Sequence, residues 1–283
     1  MLITINVGHS PDPDDAFMFH ALANDKIPTG NYRFTHTLQD IETLNQRALR
    51  GELHISAVSI HAYAFLTSQY ALLPCGASMG DGYGPMLVSL SEAPKTPPEI
   101  SNWLADRKIA VPGLKTSAYL ALRLFTTNGS AVVVPFDEIF DFVKAGKADV
   151  GLLIHEGQLT YAQQGFELVL DLGAWWKDQT SLPLPLGGNV IRKDIPPQQR
   201  KEISDILKES IRYGLENRAD GIQHSMPLAR DLDLAQADKF IGMYVNDFTL
   251  DYGKIGRQAI REFLGYASKR GFISEPIEIE FVE

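Results

Sequence analysis

Cysteine, basic charge and a leader-like start are what this 283-residue sequence has least of. Cys75 is the single cysteine, so no disulfide can close within the chain, and no Cys/His cluster has the spacing of a zinc site. Structural metal is therefore not expected. Lys and Arg number 26 against 35 Asp and Glu, a formal net charge of −9, and no local basic patch offsets it. Such a surface repels phosphate backbones and anionic lipid, which argues against a nucleic-acid partner and against membrane attachment. The amino terminus, MLITINVGHSPDPDD, has no basic leader and only a short apolar stretch, so neither signal peptide nor membrane insertion is expected. A cytoplasmic protein is the expectation.

What is present is an ordinary globular composition, with 45% hydrophobic and 22% charged residues. At roughly 150 residues per domain the length suits two domains. The order of elements supports that division through two internal echoes. Leu2 to Val7 reads as a strand and Ala16 to Leu22 as a helix. Lys108 to Val111, the turn Pro112 to Thr116 and the helix Ser117 to Phe125 repeat this βα unit. Ile41, Leu44, Ala48 and Leu49 fall at helical spacing, run into Gly51 and are followed by the strand-like His54 to Val58. Phe136, Ile139 and Val143 run into Gly146 and the strand-like Asp149 to Ile154 in the same way. Glycine stands in both copies where a left-handed helix end is least costly.

Short apolar strands separated by helices predict parallel sheets with βαβ crossovers. The Pro- and Ser-rich SLSEAPKTPPEISN marks a first passage between lobes, and LPLPLGGNVIR suits a return. The resulting expectation is a larger lobe of residues 1–90 plus 190–283, a smaller lobe of 103–185, and hinge crossings at 91–102 and 186–189. Three helices are expected after the return, over Gln198 to Asn217, Ala235 to Val245 and Lys254 to Arg270, then an edge strand over Ile277 to Val282. Two α/β lobes with a central cleft and two crossings form the type II periplasmic-binding-protein-like architecture, an analogy that assigns no chemistry by itself.

Several familiar signatures are absent. Gly80 to Gly84 has the wrong glycine spacing for a dinucleotide fingerprint, and Pro85 blocks the helix that should follow. Gly113-Leu114-Lys115-Thr116 lacks the upstream glycine and Gly-Lys adjacency of a P-loop, and His155-Glu156 has Leu159 where a zinc protease needs a second histidine. His155 itself ends an apolar strand, where open α/β sheets bind ligands. Imidazole suits general-base work at neutral pH, while the alternative is a histidine that only bonds a neighbouring loop. The turn into Ser117 offers helix-start N–H groups and hydroxyls of Thr116 and Ser117 to a carboxylate, or is an ordinary N-cap.

The counterpart turn, Ser10 to Asp15, carries three aspartates that repel an anion. Asp14 and Asp15 are expected either to cap the helix or to accept from ligand hydroxyls. Ala57, Val58 and Ser59 end the first-lobe strand opposite His155, with Ser59 also able to cap the next helix. His20 and His61 read first as structural, His61 also as a candidate for the cleft lining with Ser10, Asp14 and Trp176. Trp175-Trp176 either shelters an aromatic ligand or packs the hinge.

The segments SPDPDDAFMFHAL, QDIETLNQRALRGEL, GYGPMLV, IAVPGLKTSAY, GLLIHEGQLTY, LGAWW, LPLPLGG and YVNDFTLDYGKIGRQAI, in this order, resemble the 1,4-dihydroxy-6-naphthoate synthases of the futalosine route to menaquinone. The resemblance implies a type II binding-protein fold turned to catalysis without cofactor or metal. The implied reaction converts cyclic dehypoxanthine futalosine, a small carboxylated aromatic substrate, to 1,4-dihydroxy-6-naphthoate by carbon–carbon cleavage. It also implies His155 as proton acceptor, with substrate contacts from Ala57, Val58, Ser59, Ser117 and Ala118. Asp12 and Asp14 depart from the pattern, standing where Cys and Asn are common, as does His61, where a small residue is common. Rival readings are an exported solute-binding protein, against which the missing leader argues, and chorismate dehydratase, whose characteristic segments are not those seen here.

Overall fold

A computed structural model describes residues 2–230, 232–274 and 277–283. The chain begins with β1 (Ile3–His9), α1 (Pro13–Ala23), β2 (Tyr32–Leu38), α2 (Ile41–Leu49), β3 (Ile55–Ser59), α3 (Ile60–Tyr63), β4 (Tyr70–Leu72) and β5 (Ser78–Gly80). It then crosses to β6 (Met86–Ser89), α4 (Pro97–Trp103), β7 (Lys108–Val111), α5 (Ser117–Phe125), β8 (Ser130–Val133) and α6 (Ile139–Lys144). This second stretch continues through β9 (Val150–Leu153), α7 (Gly157–Thr160), β10 (Glu167–Asp171) and α8 (Leu172–Thr180). The return brings β11 (Leu184–Arg192), α9 (Pro197–Glu216), α10 (Arg218–Ser225), α11 (Leu234–Tyr244), α12 (Asp247–Leu250) and α13 (Gly253–Lys269).

Two sheets result, one ordered β2-β1-β3-β11-β4 with β5 also on β11, the other β10-β6-β9-β7-β8. The echo in the sequence is an echo in the sheets: β2-β1-β3 and β8-β7-β9 are each parallel trios. The expectation of purely parallel sheets is corrected, because the strands that arrive from the other lobe run the opposite way. β11 pairs antiparallel with β3, and β6 pairs antiparallel with β9.

The crossings also move. β6 already belongs to the second sheet, so the first crossing falls between Gly80 and Met86, not at 91–102. The Pro-rich stretch instead opens α4, with Pro97 at a position where a missing N–H costs nothing. All of β11, residues 186–189 included, lies in the first sheet, so the return is complete before Leu184.

Local signals explain the elements that frame the cleft. Thr116 caps α5 by accepting from the Tyr119 N–H at 3.1 Å, and Gly51 and Gly146 end α2 and α6 at φ +68 and +67. One apolar cluster runs through both lobes, from Val58 and Tyr63 to Leu87, Leu120 and Trp176. Beneath α1 and α9 a second cluster gathers Phe17, Ile55 and Leu207, and a third, with Ile139 and Phe166, fills the second lobe. The expected edge strand at the carboxyl end is one parallel bridge, Leu72 with Phe281, held by two backbone bonds of 2.9 Å. Among the described residues no helix is long and apolar enough to cross a membrane.

Candidate active site between the lobes

A partly open cavity lies between the two sheets. Residues from both lobes line it. From the first lobe come Ser10, Asp12, Asp14, Asp15, Ala57, Val58 and Ser59. Thr116, Ser117, Ala118, Ile154, His155 and Gln158 come from the second.

His155 follows β9 and holds a left-handed backbone, φ +54, which costs a residue with a Cβ about 1–3 kcal/mol and is found where surrounding structure enforces it. Its Nδ1 lies 3.1 Å from Asp12 Oδ2, and its Nε2 is buried with no partner among the described residues. The Phe136 ring meets the imidazole edge-on at 4.8 Å between centroids. A histidine so held has one nitrogen engaged and one left for a ligand.

Around it the first-lobe turn is dense in carboxylates. Burial, then the neighbouring Asp12, pushes the Asp14 carboxyl up to about 7, and Asp14 Oδ1 has no partner among the described residues. Asp15 is pushed well above the carboxylate range by burial and by Asp14. Glu156 is raised by burial and by Asp12. Neither Asp14 nor Asp15 caps α1 as expected: the N-cap is Asp12, without a side-chain cap bond, and Asp15 instead accepts from the Ser10 N–H at 2.6 Å. This end of the cavity therefore holds carboxyls shifted toward the protonated form, in which they can donate to ligand oxygens as well as accept.

The start of α5 is different in kind. The register of α5 leaves the N–H groups of Ser117 and Ala118 without intrahelical acceptors. The Thr116 hydroxyl proton is already committed to Gly113 O at 2.8 Å while its oxygen accepts from Tyr119, which corrects the expectation that this hydroxyl donates to a ligand. Ser117 Oγ accepts from the His61 N–H at 3.1 Å and keeps its own proton to donate. Ser59 makes no cap bond. Instead, its N–H donates to Asn45 Oδ1 at 2.9 Å and its Oγ accepts from Asn45 Nδ2 at 3.2 Å.

Two candidates leave the lining. Trp176 is 1% exposed, packs edge-on to Phe263 and Tyr266 and donates from Nε1 to Pro183 O, so it fastens the hinge region. His61 sits behind the α5 turn, its Nδ1 3.2 Å from Thr116 O, where burial pushes the imidazole down to about 4. It faces a separate hollow with Lys115 and Arg123. His20 likewise lies outside the cavity, its ring tilted against that of His224 at 4.8 Å between centroids.

The sequence reading missed several lining residues. Gln158 and Tyr244 meet across the cleft at 2.6 Å, and β11 contributes Gly187, Gly188 and Asn189. Gln158 stands one helical turn after His155, a spacing that points it out; the others had no local signal.

A family model described as menaquinone biosynthesis matches residues 5–269. The chain is 36% identical over 276 residues to a 1,4-dihydroxy-6-naphthoate synthase from Streptomyces coelicolor, covering 95% of each. It is 33% identical over 267 residues to one from Thermus thermophilus, covering 94% of this chain and 95% of that one. A solved structure from Archaeoglobus fulgidus superposes with a TM-score of 0.89 at 43% identity, over 95% of this chain and 98% of that one. The alkanesulfonate-binding protein of Xanthomonas axonopodis superposes at 0.69 with 9% identity, over 97% and 95% of the two chains. That distant likeness shows the fold alone, a type II periplasmic-binding-protein architecture.

Proposed function

The chain belongs to the menaquinone-biosynthesis family, and from that premise we propose that it is a lyase converting cyclic dehypoxanthine futalosine to 1,4-dihydroxy-6-naphthoate. The observation that carries the chemistry is His155, with an unpartnered Nε2, lining the same cavity as the start of α5. The substrate carboxylate sits on the Ser117 and Ala118 N–H groups, where dipole attraction of about 0.3–1 kcal/mol adds to charge-assisted hydrogen bonds. Its hydroxyls face Ser10, Asp14 and Asp15. His155 Nε2 then takes a proton beside an activated carbon, the electron pair released drives cleavage of a carbon–carbon bond, and the sugar-derived fragment leaves with that bond's electrons and takes a proton from the imidazolium. Closed lobes exclude water from the intermediate.

The groups named here are protein groups, and no step calls for a metal or cofactor. A cytoplasmic location belongs to the same proposal. Purified protein incubated with cyclic dehypoxanthine futalosine should yield a product with the mass of 1,4-dihydroxy-6-naphthoate, while chorismate should be recovered unchanged. Dehydration of chorismate, or tight binding of the futalosine substrate without turnover, would assign the chain to one of the two rival activities.

A further inference from the structure

We propose that Asp12 is the positioning residue of the base, a carboxylate that the first lobe supplies to an imidazole of the second, so that the base is assembled by closure of the cleft. This rests on the reading of His155 as proton acceptor and extends it.

The contact is a close approach of carboxylate and imidazole. Asp12 Oδ2 lies 3.1 Å from His155 Nδ1, and the Asp12 side chain is 1% exposed. The carboxylate is itself held from two sides. Ser10 Oγ donates to Oδ2, and the Arg230 guanidinium stands 3.4 Å from Oδ1. Arg230 also lies over the Phe136 ring at 5.0 Å, and that ring meets His155, so the same cation braces both the carboxylate and the aromatic wall of the base. A carboxylate at this distance favours the tautomer with the proton on Nδ1, which leaves Nε2 with a free lone pair, the state a base requires. Asp12 precedes α1 in one lobe and His155 follows β9 in the other. An open cleft therefore separates the pair, and the tautomer is fixed when the lobes meet.

The test is Asp12→Asn. Its amide oxygen is drawn to Arg230, which turns the amide NH₂ toward Nδ1 and forces the imidazole proton onto Nε2. We expect kcat to fall about 10²-fold or more, as when a base is lost or held in the wrong tautomer, with KM within about threefold. Nitrogen-15 spectra of histidine-labelled protein with product bound, His155 being assigned by its loss in His155→Ala, should show Nδ1 protonated in the wild type and Nε2 protonated in Asp12→Asn. The wild-type spectrum needs no variant to fold around a changed Asp12. A neutral wild-type ring protonated on Nε2 overturns the proposal, as does an Asp12→Asn enzyme whose KM rises while kcat holds. If His155→Ala is inactive and Asp12→Asn is not, the positioning role fails and the base stands. Should His155→Ala turn over normally, both fall.

Discussion

The turns that open α1 and α5 are the same device built twice, each a strand leading into a helix whose first N–H groups face the cleft. α5 has no acidic residue in its first turn, and its cap is a neutral threonine. α1 begins Pro13-Asp14-Asp15 behind a buried Asp12. The backbone of both offers partial positive charge, yet at α1 the buried carboxyls outweigh it, and two of them are raised toward neutrality. A helix start thus does not by itself make an anion site. The side chains around it decide, and the proposed function assigns the carboxylate to the α5 turn and the hydroxyls and proton transfer to the α1 turn.

The comparison breaks most severely if the proton-transfer end carries no chemistry. His155→Ala should keep the fold and ligand binding and lose about 10²- to 10⁴-fold in kcat, read by steady-state kinetics beside a binding titration. Wild-type turnover would remove the base from that end. At the other end, Ser117→Pro deletes one amide donor while leaving a legal first helical residue. Thr116 already has the extended φ −72, ψ 147 that a following proline requires. KM should rise about tenfold or more, the worth of a hydrogen bond to a charged group. Ser117→Ala, which keeps the amide, should fall well short of that, and an equal effect would assign the anion to the hydroxyl instead.

A smaller effect separates the two turns by pH. Asp14 holds a proton in the folded protein up to about 7, whereas the unfolded chain releases it near 3.8. The native state binds more protons in that window, so this group costs stability progressively as pH rises through it. Asp14→Asn removes the cost. Urea unfolding should show the variant gaining on the wild type at about pH 8 and losing that advantage near pH 4. A gain that grows toward acid would mean the carboxyl is ionised in the fold. The smallest signal is closure. A ligand bridging both turns favours the state in which Gln158 meets Tyr244 and Ser117 meets His61. Solution scattering should give a smaller radius of gyration with product than without, and equal radii would mean that the lobes stand closed before ligand arrives.

The strong local punctuation of this sequence was legible. β7 and α5 have the bounds that the turn at Pro112 to Thr116 and the Thr116 cap predict, and both paired glycines are left-handed. Less legible was anything decided by pairing at a distance. Met86 to Ser89 is three apolar residues and a serine with no local mark of the sheet they join, so the Pro-rich segment beyond them took the role of crossing. Trp176 and His61 share composition with a ligand site and differ from one only in what packs over them. Asp12 stood out as a departure from the family pattern, but its partners, His155 and Arg230, lie far along the chain.

The central claim is that a carboxylated ligand lies across the cleft in one direction, and a crystal structure with 1,4-dihydroxy-6-naphthoate bound tests it most directly. The account predicts the carboxylate on the Ser117 and Ala118 N–H groups, with the far ring within reach of His155 Nε2 and the aspartate turn. A carboxylate at the Ser10 to Asp15 end, or a ligand outside the space between the sheets, would contradict it.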